Sequence, residues 1–140
     1  MKRLPWSRLH VFPYSERAGT PATRLPNSVP QSKRVERAKK LRDLSLERLK
    51  KIHHGVLEHA QTKGRILNQV LLESLTKGPD ASRFWVGGYT PNYLRVLVPF
   101  QTEEEARLMR NRIVSVRPES LLIDSNQGDM AFISTLQAIT

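Results

Sequence analysis

The sequence predicts a mainly β fold with one long helix: a small five-stranded antiparallel barrel, preceded by a basic amphipathic helix and by an orphan strand. Three observations predict it. Apolar residues recur with a helical period from Val35 to Ala60, and the period changes to 2 after Gly64. Turn signals then cut the remaining chain into five short β-prone runs. Five of the nine prolines (Pro5, Pro13, Pro21, Pro26 and Pro30) lie in the first 30 residues, so that stretch reads as mostly irregular.

The first element is Arg8 to Phe12, a β-prone run ended by Pro13, which removes a ladder donor. One strand cannot bury itself, so it belongs to a sheet this sequence does not contain or lies disordered. Ser28-Val29-Pro30-Gln31 has the form of a capping box and predicts a helix start. Val35, Ala38, Leu41, Leu49, Ile52, Val56 and Ala60 then share one face, and Glu36 with Lys40 and Glu47 with Lys51 add i,i+4 support. The helix should end near Ala60 or Gln61, before Lys63-Gly64, after roughly 45 Å at about 1.5 Å per residue.

The strands follow as Arg65 to Ser74, Arg83 to Tyr89, Tyr93 to Phe100, Arg112 to Arg117 and Asp129 to Ser134. The second and third join through Thr90-Pro91-Asn92, and Asn126-Gln127-Gly128 precedes the fifth. Glu103 to Arg110 is helix-prone and should form one or two turns before the fourth strand. Closure into a barrel removes exposed edges. Its expected core is Ile66, Leu67, Val70, Leu72, Trp85, Val86, Leu94, Val96, Val98, Ile113, Val116, Leu122, Ile123, Phe132 and Ile133.

Charge and composition narrow the function. The chain carries +10 over 140 residues, with +9 of it in residues 1 to 61, so a basic arm precedes a nearly neutral body and a polyanion is the natural partner. With no cysteine, disulfides, thiolate metal sites, iron–sulfur clusters and Cys nucleophiles have no sulfur to use. No run has the length of a secretion signal or a membrane span, and a cytoplasmic protein is expected. His54 and Glu58 stand one helical turn apart but lack the third and fourth ligands of a metal site, and read as solvated surface. Glu103, Glu104 and Glu105 are consecutive and splay around a turn. No catalytic residue is assigned.

Binding residues are better marked. Arg83, Trp85, Tyr89, Tyr93 and Arg95 gather around the second and third strands, and aromatic faces interleaved with cations suit the stacked bases and phosphates of single-stranded RNA. Trp85 and one tyrosine fit a core role equally well. Gly87-Gly88 allows close backbone approach to a ligand, or a barrel corner.

Two stretches resemble a known family. Leu9-His10-Val11-Phe12-Pro13-Tyr14-Ser15-Glu16-Arg17-Ala18-Gly19-Thr20-Pro21-Ala22, followed by Val29-Pro30 and a helix with Arg37 and Leu41, resembles the end of the radical-SAM domain of the tRNA methylthiotransferases that act on threonylcarbamoyladenosine. Gly88-Tyr89-Thr90-Pro91-Asn92-Tyr93 and Val96, preceded by Val70-Leu71-Leu72-Glu73, resembles their RNA-binding TRAM domain, an OB-like barrel. The resemblance implies a remnant of the radical-SAM barrel end in residues 1–28, a long basic helix in 29–61 and a TRAM barrel in 62–140. Arg83, Tyr89, Thr90, Asn92, Tyr93 and Arg95 would meet tRNA, and Arg17, Gly19 and Thr20 would lie near the catalytic barrel. Glu103 to Arg110 reads as an insertion relative to the family pattern. The family uses a 4Fe-4S cluster and S-adenosylmethionine, held by a C-x-x-x-C-x-x-C set absent here, so no cofactor is expected on this chain and no catalysis by it alone. tRNA is the expected partner, with no membrane. In the alternative reading the chain is one component of a split or truncated methylthiotransferase, with a partner chain carrying the radical-SAM domain.

Overall fold

The computed structural model describes Leu4, residues 6–124 and residues 129–139, and its chain divides into two compact units between Lys50 and Lys51. The boundary falls inside helix α1, Gln31–Lys63. Five strands follow: β1 (Leu67–Thr76), β2 (Phe84–Tyr89), β3 (Arg95–Phe100), β4 (Arg112–Asp124) and β5 (Asp129–Ile139), with a short helix α2 (Glu103–Leu108) between β3 and β4. The expected turn Asn126-Gln127-Gly128 lies outside the described residues.

In the first unit, residues 6–29 are held against the N-terminal half of α1 by side chains of the helix. The Leu9 N–H donates to Ser45 Oγ at 2.8 Å, Arg42 donates to the Val11 carbonyl at 3.4 Å, and the Arg48 guanidinium sits 4.5 Å from the centre of the Trp6 ring. The expected strand at Arg8 to Phe12 does not form. No neighbouring ladder is present among the described residues, and the helix takes up part of its backbone instead. Ser28 does not cap α1 either. Its hydroxyl lies between Arg34 and Glu16, while the Pro30 carbonyl accepts the first helical bond from the Arg34 N–H at 3.1 Å. Of the two expected i,i+4 pairs, Glu36–Lys40 forms at 2.8 Å, and Glu47–Lys51 does not among the described residues. Exposed pairs gain so little over water that either outcome leaves a helix intact.

The second unit is a closed barrel in the order β1-β2-β3-β5-β4, an OB-like arrangement, with residues 51–63 of α1 packed on it. All neighbours are antiparallel except β3 and β5, which run parallel from Arg95↔Ala131 to Leu97↔Ile133. The fully antiparallel expectation is therefore corrected. The connection through α2 and β4 brings β5 back along β3 in the same direction, so β3 and β4 are not neighbours. A capping box does occur, at Thr102 and Glu105, and it starts α2.

The core is Val70, Leu72, Val86, Leu94, Val96, Val98, Ala106, Val114, Val116 and Phe132, with Ile52, Val56 and Leu57 of α1 against it. The apolar face of α1 is thus covered at this end. His53 is buried here as well, its ring stacked on Phe132 with centroids 4.9 Å apart. Its spacing from Leu49, Val56 and Ala60 puts it on the apolar face, a signal available in the sequence. Ile113, Leu122 and Ile123 were expected inside and are exposed, while Leu97, Val114, Met130 and Ala131 are buried. Val114, Val116 and Pro118 alternate inward along β4, which turns Ile113 outward. Among the described residues, no helix is long and apolar enough to cross a membrane.

Candidate nucleic-acid interface

Pairing and pleat together select one outward row on the barrel. Leu71 of β1 pairs with Ile113 of β4 on one side and Tyr89 of β2 on the other, and Tyr89 pairs with Arg95 of β3. Their strand neighbours Val70, Leu72, Gly88, Val96 and Val114 point inward, so these four point outward. Ile113 is 47% exposed, Leu71 40% and Tyr89 37%. Adjacent strands lie about 4.8 Å apart, so each member of the row is within reach of the next, and the row follows the curved outside of the barrel as an apolar–aromatic ledge ending in a guanidinium. Arg95 is oriented by Asp129 through a 2.7 Å ion pair.

The β2–β3 turn sits at the end of this row. Thr90 is buried, and its hydroxyl accepts from the Leu94 N–H at 2.9 Å and donates to Asn92 Oδ1 at 2.6 Å. The Tyr93 N–H donates to the Thr90 carbonyl at 2.9 Å. Thr90 and Asn92 therefore shape the turn. What they present is Tyr93, 85% exposed and held at φ 61°, a left-handed conformation that costs a non-glycine residue about 1–2 kcal/mol.

Two of the expected binding residues stand elsewhere. Arg83 precedes β2 at the far end of the strand from Tyr89, roughly 20 Å away at about 3.3 Å per residue, and pairs with Asp80 at 3.4 Å. The Asp80 carboxyl is held below its ordinary pKa by the Ser82 hydroxyl, then by the Ser82 N–H, with the Arg83 charge a lesser cause. Trp85 is buried outside the barrel interior with Leu97 and Ala131, and its Nε1–H donates to the Asp80 carbonyl at 2.8 Å. Its faces are covered, so the core role is the one realised and stacking on RNA is closed to it. Ile113 is exposed although the sequence reading places it in the core, because it shares no strand parity with Val116; Leu71, outside that expected core, joins the row only through its pairing with Ile113 and Tyr89.

No family model matches the chain, and no solved structure matches it. Among curated proteins, the threonylcarbamoyladenosine tRNA methylthiotransferase of Bacillus subtilis is 34% identical over 117 residues, 84% of this chain and 23% of that protein. The enzyme of the same name from Rickettsia prowazekii is 74% identical over 34 residues, 24% of this chain and 8% of that protein. The tRNA-2-methylthio-N(6)-dimethylallyladenosine synthase of Symbiobacterium thermophilum is 30% identical over 120 residues, 84% of this chain and 22% of that protein. The chain is a relative of the tRNA methylthiotransferases. It spans less than a quarter of the length of these methylthiotransferases.

The chain has no cysteine, and among the described residues no group of three or more His, Asp or Glu is placed to hold a metal. His54 and Glu58 are both exposed on α1. An iron–sulfur cluster does not fit these residues, since it needs thiolates.

Arg17, Gly19 and Thr20 form a turn of the first unit. The Thr20 N–H and hydroxyl both donate to the Arg17 carbonyl, at 3.3 and 2.8 Å, and Gly19 takes φ 83°. Beside it a groove of about 670 Å³ runs past Phe12, Tyr14, Leu25, Arg37 and Leu41. Arg34 organises its wall, donating to the Val29 carbonyl at 2.6 Å and to Glu16 at 2.5 Å, and lying 5.0 Å from the centre of the Tyr14 ring. The Glu16 carboxyl is pulled below its ordinary pKa by that Arg34 hydrogen bond first, then by the Ser28 hydroxyl and the Arg34 charge. A depressed carboxyl contributes stability above its unfolded pKa and loses it as pH falls through the folded value. The Glu16–Arg34 link should therefore hold at neutral pH and release only below the ordinary glutamate range. Carboxyl carbon shifts followed against pH should show a lowered Glu16 midpoint that Arg34→Ala restores; an unchanged midpoint in that variant would contradict the assignment.

Proposed function

We propose that this chain is the tRNA-binding C-terminal region of a threonylcarbamoyladenosine-type methylthiotransferase. In this reading residues 62–140 are its TRAM domain, 29–61 its basic helix and 1–28 the end of the radical-SAM domain, in a cytoplasmic enzyme. Tyr93 is the observation that carries it. A large aromatic ring held almost fully in solvent by a strained backbone does nothing for the fold, and such strain is retained where function needs it. The ledge beside it supports the same reading, because the face of strands 2 and 3 is where OB-like barrels take oligonucleotides. Tyr89 and Tyr93 stack on bases, Arg95 contacts phosphate, Thr90 and Asn92 set the turn, and Arg83 meets phosphate farther along the strand. The arm carrying most of the net charge supplies sequence-independent attraction, although Arg34, Arg42 and Arg48 are partly engaged within the first unit.

tRNA affinity measured against salt tests this. Binding through phosphates should fall linearly on a log–log plot, with a slope of about −0.7 to −0.9 per contact, and no binding at low salt would refute the reading.

A second reading is favoured by the first unit. Residues 9–12 form no strand with the described residues, and Phe12 and Leu25 are exposed beside the groove. These features suit a partner chain carrying the radical-SAM domain, which would bring the 4Fe-4S cluster and S-adenosylmethionine for sulfur and methyl transfer. Arg17, Gly19 and Thr20 would then lie near that domain. This chain would supply no ligand to the cluster and would not catalyse alone. Co-purification of the two chains is the test, and a strictly monomeric chain in the presence of the partner counts against it.

A further inference from the structure

A second cleft, of about 650 Å³, opens in the barrel unit between the α1–β1 linker and the β2–β3 turn. It is within the size range of small-ligand pockets, about 300–1,000 Å³. Its floor is apolar: Val56 of α1, Leu67 and Leu94, all belonging to or packed on the barrel core. Its rim is polar, with Arg65 and Asn68 on one side and Asn92 on the other. Backbone irregularities shape its α1–β1 side. Gly64 takes φ 64° at the end of α1, and the β1–β4 register shifts between Leu67 and Val70. Such a bulge re-aims a strand end.

We infer that this cleft receives one unstacked nucleotide of a bound RNA, its base on the Val56–Leu67–Leu94 floor and its phosphate at Arg65. The lining has the chemistry of that occupant. A planar heterocycle needs an apolar surface for its face and amide groups for its edge, and single-stranded RNA is recognised by bases splayed into such sites. Arg65 is exposed and has no ion-pair partner among the described residues, leaving its charge for a phosphate. Asn68 is fixed for edge contact by Ser115, whose hydroxyl donates to its Oδ1 at 3.0 Å. The turn residue Asn92 lines the cleft while Tyr93, its neighbour, stands in solvent, so one RNA strand reaches both the stacking ring and the slot. The inference rests on the RNA-binding reading and adds to it a site that reads one nucleotide.

The test titrates the 15N-labelled full chain with each of the four nucleoside 5′-monophosphates, with the matching nucleosides and with inorganic phosphate. Saturable amide shifts are expected at Gly64–Asn68, Thr90 and Asn92, with dissociation constants of about 1 mM and a preference among the bases. Arg65→Ala should weaken monophosphates several-fold and leave nucleosides unchanged, and Asn68→Ala should flatten the base preference. Both residues are exposed, so the variants keep the fold; Val56→Phe, which fills the floor, should abolish both ligands. Equal shifts with inorganic phosphate alone, shifts confined to Tyr89 and Arg95, or no saturable shift would each overturn the slot. tRNA binding separates the two ideas. If tRNA binds through Tyr93 but is indifferent to Arg65→Ala and Asn68→Ala, the slot falls and the RNA-binding reading stands.

Discussion

Gly88→Ala should unfold much of the barrel. Gly88 pairs with Leu72 and Val96, both buried, and β1 presses so close that an added Cβ would stand 2.3 Å from the Leu71 carbonyl oxygen and 3.0 Å from the Leu72 Cα. Those atoms are backbone, so no rotamer change relieves the clash and the β1–β2 pair must separate. Overpacking costs about 1–3 kcal/mol even where side chains can adjust, and a rigid contact belongs at or above the upper end. In a domain of this size each 1 kcal/mol lowers the melting temperature by about 4–8 °C, so the loss should exceed roughly 10 °C. Gly87→Ala is the control. It points outward and would meet the Thr76 methyl at 3.3 Å, a contact a side chain can yield, and its melting should move far less. Similar melting for both variants and the parent would show that the β1–β2 contact is looser than described. The result would also settle why two glycines adjoin here, since Gly88 serves the barrel's own packing.

Tyr93→Gly should separate stability from binding. The substitution removes a ring that is 85% exposed and relieves a left-handed backbone, so the barrel should become about 1 kcal/mol more stable. The same change should weaken tRNA binding by roughly 5- to 150-fold, the loss of one stacked base at about 1–3 kcal/mol. Few substitutions move the two quantities in opposite directions. Thermal melts and salt-matched binding isotherms on the same preparation decide it. Unchanged affinity would remove Tyr93 from the interface, and lost stability would mean that the ring supports the turn after all. Tyr89→Ala on the ledge should lower affinity by a similar factor, because its ring is the aromatic member of the row formed with Leu71, Ile113 and Arg95.

Much of this was legible in the residues. The long helix, each of the barrel's strands and the turn at Thr90–Tyr93 follow from apolar period and from Pro, Gly and Asn placement. Helix and strand are local outcomes, settled within a few residues of chain. The site was legible in part. Tyr89, Thr90, Asn92, Tyr93 and Arg95 do come together, because a hairpin joins them. Trp85 could not be placed from sequence, since whether a tryptophan stacks or packs depends on what covers it, here the loop carrying Gly78 and Asp80.

By itself, then, the sequence determined the kinds of element, their order, the asymmetry of charge and the absence of any thiolate chemistry. Only the tertiary structure decided which strands are neighbours and which side chains share a surface. Register shifts within β1 and β4 break the simple alternation, and the parallel β3–β5 pair joins residues far apart in the chain. Both are consequences of closing a sheet on itself, a long-range constraint that no short window of residues contains. The row Ile113–Leu71–Tyr89–Arg95 is drawn from four strands, and so is visible only once the barrel has closed.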